Sequence, residues 1–111
     1  MSSSYVVSYT PAAQADVRAI YSYIANQLGE EKVARRQVNR IRQAIHKLHT
    51  MPERHKAVDW EPWASMGMRR MTIDNYVAFY QVNTKDKTVL VVRLFYGGRD
   101  IKNITLGERK L

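Results

Sequence analysis

Apolar residues in this chain change period once, near Pro52, and that single change fixes the order of elements the chain can build. Before it, Val17, Ile20, Tyr21, Ile24 and Leu28, then Ala34, Val38, Ile41, Ile45 and Leu48, recur three and four apart. That spacing places each set on one stripe of an α-helix. After it, "MRRMTI" (68–73), "YVAFYQV" (76–82) and "TVLVVRLFY" (88–96) are short runs rich in aromatic and β-branched residues, which favour strands.

Local signals mark the boundaries. Thr10 followed by Pro11 reads as an N-cap with proline at the first helical position, where a missing N–H costs nothing. Gly29 stops the first helix and Pro52 ends the second. Asp74-Asn75 and "NTKDK" (83–87) supply the turns of a three-stranded antiparallel meander. "YVVSY" (5–9) is a fourth strand, expected to join as an edge. The expected fold is α+β: an N-terminal strand, an antiparallel helical hairpin, then the meander, with both helices on one face of a small curved sheet. Residues 52–67, with two prolines and a glycine, read as a loop that Trp60 and Trp63 lay against the core; a stacking surface is the alternative for the two tryptophans.

With 111 residues the chain suits one domain, 1–111. The absence of cysteine excludes a disulfide framework and thiol chemistry. The N-terminus "MSSSYVVSYT" lacks the basic start and long apolar middle of a signal peptide, so a cytoplasmic protein is expected. The net charge of +8 suits contact with nucleic acid or an acidic protein.

That charge is concentrated on arginines. On the second helix Arg35, Arg36 and Arg40, with Lys32, Arg42 and Lys47, form either a solvated face or a docking surface for an acidic partner. Arg69 and Arg70, adjacent on a strand, point to opposite faces, so at least one meets solvent or a partner. Arg93 interrupts the most apolar strand, on alternation sharing a face with Val89, Val91 and Phe95. It is either ion-paired internally, with Asp74 or Asp100, or a phosphate contact. Arg99 follows Gly97-Gly98, where positive φ is available for a tight turn, and Asp100 reads as an N-cap for the tail. His46 and His49, three apart on a helix, and His55 lack carboxylate or thiolate support, so no metal site is expected. No cofactor-binding motif is present.

"YTPAAQADVRAIYSYI", "IRQAIHKLHTMPERH", "MRRMTIDNYVAFYQV" and "VVRLFYGGRDI" resemble, in order and over nearly the whole chain, the RelE/ParE superfamily of toxins from type II toxin–antitoxin modules. The resemblance implies the fold already reached, a cytosolic growth inhibitor, and a cognate antitoxin that wraps it with a helical, often acidic segment. It implies one of two targets. RelE-like members cut mRNA on the ribosome; ParE-like members poison DNA gyrase. By the resemblance, Arg70 matches the basic residue on the first meander strand and Arg99 the arginine just past the last strand. Val77 stands where the RelE-like branch has its central arginine, Thr105 falls near its C-terminal tyrosine, and Gly97-Gly98 replace the histidine–tyrosine pair of the YoeB-like branch. RNA cleavage needs charge stabilisation and proton transfer, and arginine is a poor base. If the chain is a nuclease, Arg70, Arg99 and Tyr96 are the catalytic candidates, with Arg93 behind them. The long hairpin, with "IYSYI" and the "MPERH" exit, resembles ParE-like chains more, so a gyrase poison is the expectation and an mRNA endoribonuclease the alternative. A non-toxic nucleic-acid-binding module is a third reading.

Overall fold

A computed structural model describes residues 4–97. Gly98, Arg99, Asp100 and Thr105 lie outside the described residues. The chain forms β1 (Val6–Tyr9), α1 (Pro11–Ser22), a π-helical turn (Tyr23–Gln27), α2 (Glu31–His46), β2 (Arg69–Ile73), β3 (Tyr76–Asn83) and β4 (Thr88–Tyr96). These are the strands, helices and order that the change of period specifies.

Thr10 does cap α1: its Oγ1 accepts the Ala13 N–H at 3.0 Å and donates to the Val92 carbonyl at 2.8 Å. One hydroxyl therefore starts the helix and ties it to β4. The expected stripe of α1 holds through Val17 and Ile24 and fails at Leu28, which is 55% exposed. The π turn explains the failure. The Leu28 N–H bonds to Tyr23 O, five residues back, and the added residue rotates Leu28 away from the core. Gly29 then turns the chain at φ +69°. On α2 the whole stripe is buried, from Ala34 through Leu48 in a closing 3-10 turn (Lys47–His49).

The sheet order is β1-β4-β3-β2. β2, β3 and β4 form the expected antiparallel meander. β1 joins at the β4 edge, running parallel to it, so the sheet is mixed rather than wholly antiparallel. The helices cover one face through Val17, Val38, Ile41 and Ile45 against Ala78, Tyr80, Val89 and Val91. The loop covers the other face, with Val58, Trp63, Met68, Val77, Phe79 and Phe95 in one cluster and Trp60 packed on it. Trp63 lies 4.6 Å from Phe79, ring centre to ring centre. Packing, not stacking on a ligand, is what the tryptophans do here.

A β-bulge decides the side-chain alternation of β4. Tyr80 faces Val91 but Phe79 faces Arg93, leaving Val92 without an opposite residue. Strict alternation would keep Arg93 with Val89 and Val91. Instead those valines face the helices, while Arg93 and Phe95 fall on the opposite side with Val77 and Phe79. Gly97 also differs from expectation. Its φ is not positive; its N–H bonds to Asn75 O at 2.7 Å, and a Cβ there would meet that oxygen at 3.2 Å. Close approach of two backbones is the demand on this glycine.

Candidate functional site: an arginine-flanked aromatic face

Arg70, Phe79 and Arg93 are direct neighbours across β2, β3 and β4, on the face away from the helices. Phe79 is fully buried under Trp63, so the row presents two guanidiniums either side of an apolar centre. Arg70 is half-buried, and its guanidinium has no hydrogen bond or ion pair among the described residues. The Arg93 guanidinium lies 4.6 Å from the Phe95 ring centre.

Arg93 is held from α1. Its Nε donates to Asp16 Oδ2 at 2.8 Å and its terminal nitrogen to Asp16 Oδ1 at 3.1 Å. Oδ2 also accepts the Leu94 N–H at 2.9 Å. β1 ends opposite Val91, so beyond that point β4 keeps β3 on one side and has no strand on its other edge among the described residues. Asp16 and Thr10 take over the edge, one accepting an N–H and the other donating to a carbonyl. The expected partners of Arg93 were Asp74 or Asp100. Asp74 is instead engaged by Gln37 at 2.9 Å and Arg40 at 2.6 Å, which in that order hold its carboxyl below the usual carboxylate range. Asp16 was not foreseen, although it is the sole carboxylate in the stretch 11–28.

The other sequence candidates are dispersed. Tyr96, half exposed, pairs with Tyr76 on the helix side of the sheet, so it does not share a face with Arg70. Arg69 donates to Glu53 O at 3.0 Å and His55 O at 2.7 Å, holding the loop rather than standing free. Arg35 pairs with Glu31 at 3.0 Å on an exposed turn of α2. Arg36, one turn before Arg40, is exposed with no partner among the described residues. Arg99 lies outside the described residues.

Tyr80, and His55 packed against it, lie on the helix side of the sheet. Tyr80 is buried, donates to Pro52 O at 2.7 Å, and has its pKa pushed up to about 12 by burial. His55 packs edge-on to Tyr80, with Nε2 buried and without a hydrogen-bond partner among the described residues; burial, then Arg54, lowers its pKa. His46 and His49 stack on each other at 4.8 Å. Among the described residues no group of His, Asp or Glu is arranged to hold a metal. No helix of the described residues is long and apolar enough to cross a membrane.

Comparisons with known proteins bear on the fold and the family. A chain of the chromosomal ParDE TA system from P. aeruginosa superposes with a TM-score of 0.68 at 22% identity, over 86% of this chain and 98% of that one. A chain of the RelBE2 toxin–antitoxin complex from Mycobacterium tuberculosis gives 0.63 at 19%, over 84% and 98%. A chain of the archaeal RelE–RelB complex from Pyrococcus horikoshii gives 0.57 at 19%, over 86% and 98%. At these identities the likeness is one of fold. Comparison with curated protein sequences returns no significant match. The family model for the ParE toxin of the type II toxin–antitoxin system parDE matches residues 7–101, which runs from within β1 through the end of β4. The chain therefore belongs to the ParE toxin family of type II toxin–antitoxin systems.

Proposed function

We propose that this toxin arrests growth by poisoning DNA gyrase in the cytoplasm, and that a cognate antitoxin neutralises it. One observation carries the choice of target. Among the described residues the strand positions around Arg70 and Arg93 on that face carry no histidine, tyrosine or carboxylate: they are Thr72, Val77, Phe79, Val92 and Phe95, and Asp16, the carboxylate beside Arg93, is already engaged by that guanidinium and the Leu94 N–H. Val77, at the position where RelE-like chains carry an arginine, is 4% exposed and packed in that cluster. Such a face can stabilise negative charge but cannot take a proton from a 2′-hydroxyl at neutral pH. The family match to ParE supports the same choice. An antitoxin partner is supported by neighbours that are toxin–antitoxin systems or complexes.

A second reading, the ribosome-dependent mRNA endoribonuclease, is favoured by one feature: Arg70 stands without a partner among the described residues, as a phosphate contact would. Inducing the chain alone in a bacterial host separates the two. Gyrase poisoning gives double-strand breaks and an SOS response with mRNA intact, and the purified chain stabilises gyrase–DNA cleavage complexes. Rapid loss of translation with new mRNA ends inside codons overturns the gyrase assignment. Normal growth under induction overturns both.

A further inference from the structure

A groove of about 540 Å³ opens between β1, α1 and α2, away from the arginine-flanked face. That volume lies within the range of small-molecule sites. Its floor is apolar, made by Val17 of α1 and Ile45 of α2, both buried in the main core. Polar side chains from three elements stand around the floor: Tyr9 from β1, Gln14 and Arg18 from α1, Arg42 and His46 from α2. Each helix thus contributes two residues one turn apart, which share a side of that helix. No carboxylate lines the groove among the described residues. The side chains of Tyr9, Gln14, Arg18 and Arg42 make no hydrogen bond or ion pair among the described residues, whereas Arg35, Arg40 and Arg93 each hold a carboxylate. Burial raises the Tyr9 pKa and the nearby Arg42 opposes that rise, so hydroxyl and guanidinium are neighbours.

We infer that this groove binds a small amphiphilic anion, a carboxylate or phosphate monoester on an apolar body, with its head between Arg18 and Arg42 and its body over Val17 and Ile45. Charge selects the head. Two guanidiniums and an imidazole with no carboxylate among them create a positive potential over the groove. A planar guanidinium pairs with either oxyanion through two parallel N–H donors. The Tyr9 hydroxyl and the Gln14 amide can donate to the same head. The same charge repels a metal cation. The floor selects the body. A bare inorganic anion would leave the apolar floor in water, and a neutral hydrocarbon would leave all of these donors unused. A ligand with both parts buries the floor and engages the rim at once, as small-molecule sites with an apolar lining and a few placed polar groups do. The inference is independent of the growth-arrest reading.

The test is isothermal titration calorimetry of the purified full chain with octyl phosphate and octanoate, at constant ionic strength and below micelle-forming concentrations. Either head supports the inference, and the tighter one names the class. Along butyl, hexyl and octyl phosphate, binding should tighten about four-fold for each methylene that the floor covers. Inorganic phosphate and octan-1-ol, the head and the body alone, should each bind about ten-fold more weakly than octyl phosphate or worse. Arg18→Gln and Arg42→Gln should each weaken octyl phosphate about ten-fold. Both positions are exposed, so the circular-dichroism spectrum and melting temperature should stay near wild type. Lys85→Gln, the same charge change in the β3–β4 turn, should leave binding unchanged. Failure of both octyl phosphate and octanoate to bind overturns the inference. So does affinity that ignores chain length, or equal loss in Lys85→Gln; both mean unspecific charge attraction. Inorganic phosphate that matches octyl phosphate means a small-anion site, and octan-1-ol that matches it means an apolar patch; each overturns the inference. Binding to phosphatidylglycerol vesicles with none to monomeric octyl phosphate assigns the groove to a membrane surface and overturns it too. A chain that does not arrest growth removes the toxin reading and leaves the calorimetric result standing.

Discussion

Asp16 holds Arg93 with both carboxylate oxygens and accepts the Leu94 N–H as well, so a single α1 side chain fixes a β4 arginine and closes the open edge of that strand. Both side chains are mostly shielded, at 15% and 21% exposure. The pair therefore answers why the most apolar strand carries an arginine: the bulge turns it to the far face, and α1 supplies its counter-charge.

Asp16→Ala leaves a shielded guanidinium and a strand N–H without this partner. We expect a loss of roughly 2 kcal/mol in urea unfolding, and a double-mutant cycle with Arg93→Met should return a coupling of about 1 kcal/mol or more. Additive single effects would show that the pair is incidental.

Thr10→Ala removes an N-cap and the tie from α1 to β4 together. The expected cost is about 1–2 kcal/mol, with Thr10→Ser recovering most of it because the hydroxyl is retained. Thr10→Val, matched in shape, should behave like Thr10→Ala.

Trp63→Ala opens a cavity over Phe79 on the far face of the sheet. Truncating a buried aromatic of this kind costs about 3–5 kcal/mol. Trp60, half-buried at the margin of the same cluster, should cost clearly less on the same change. Equal effects would mean that the loop packs as a unit rather than through Trp63.

His55 predicts a pH dependence whose sign comes from its lowered pKa. The unfolded chain protonates this histidine at a higher pH than the folded chain does. Stability is therefore full above the ordinary histidine pKa of about 6.5 and falls as the pH drops from there through the lower folded value. Denaturation at pH 7 and pH 5 should show that loss in the wild type and a smaller loss in His55→Gln. The remaining titratable groups are common to both proteins and cancel in the comparison.

Arg70 tests the functional face. Its guanidinium has no partner among the described residues, so Arg70→Ala should change stability by no more than about 0.5 kcal/mol. Together with Arg99→Ala it should weaken growth inhibition while the circular-dichroism spectrum and melting temperature stay near wild type. Full toxicity in that double variant would remove both residues from the active surface.

The sequence by itself determined what is local. The helical stripe of α2, the capped start of α1, the three strand runs and their turns come from spacing and from residues whose backbone preferences do not depend on distant partners. The family was legible in the same way, because its motifs are short and ordered along the chain. Tertiary structure alone decided the rest. The bulge opposite Tyr80 and Phe79 reverses the alternation that sequence parity assigns to Arg93, and the π turn rotates Leu28 out of its stripe. Each inserts one residue into a regular period, and only the pairing of distant segments shows where. Arg93 takes Asp16, not Asp74, because the end of β1 leaves a gap that α1 reaches and Arg40 already occupies Asp74. Tyr96 parts from Arg70 for the same reason that the parallel edge of β1 went unread: faces and edges belong to the assembled sheet, and a chain read in order has only a period.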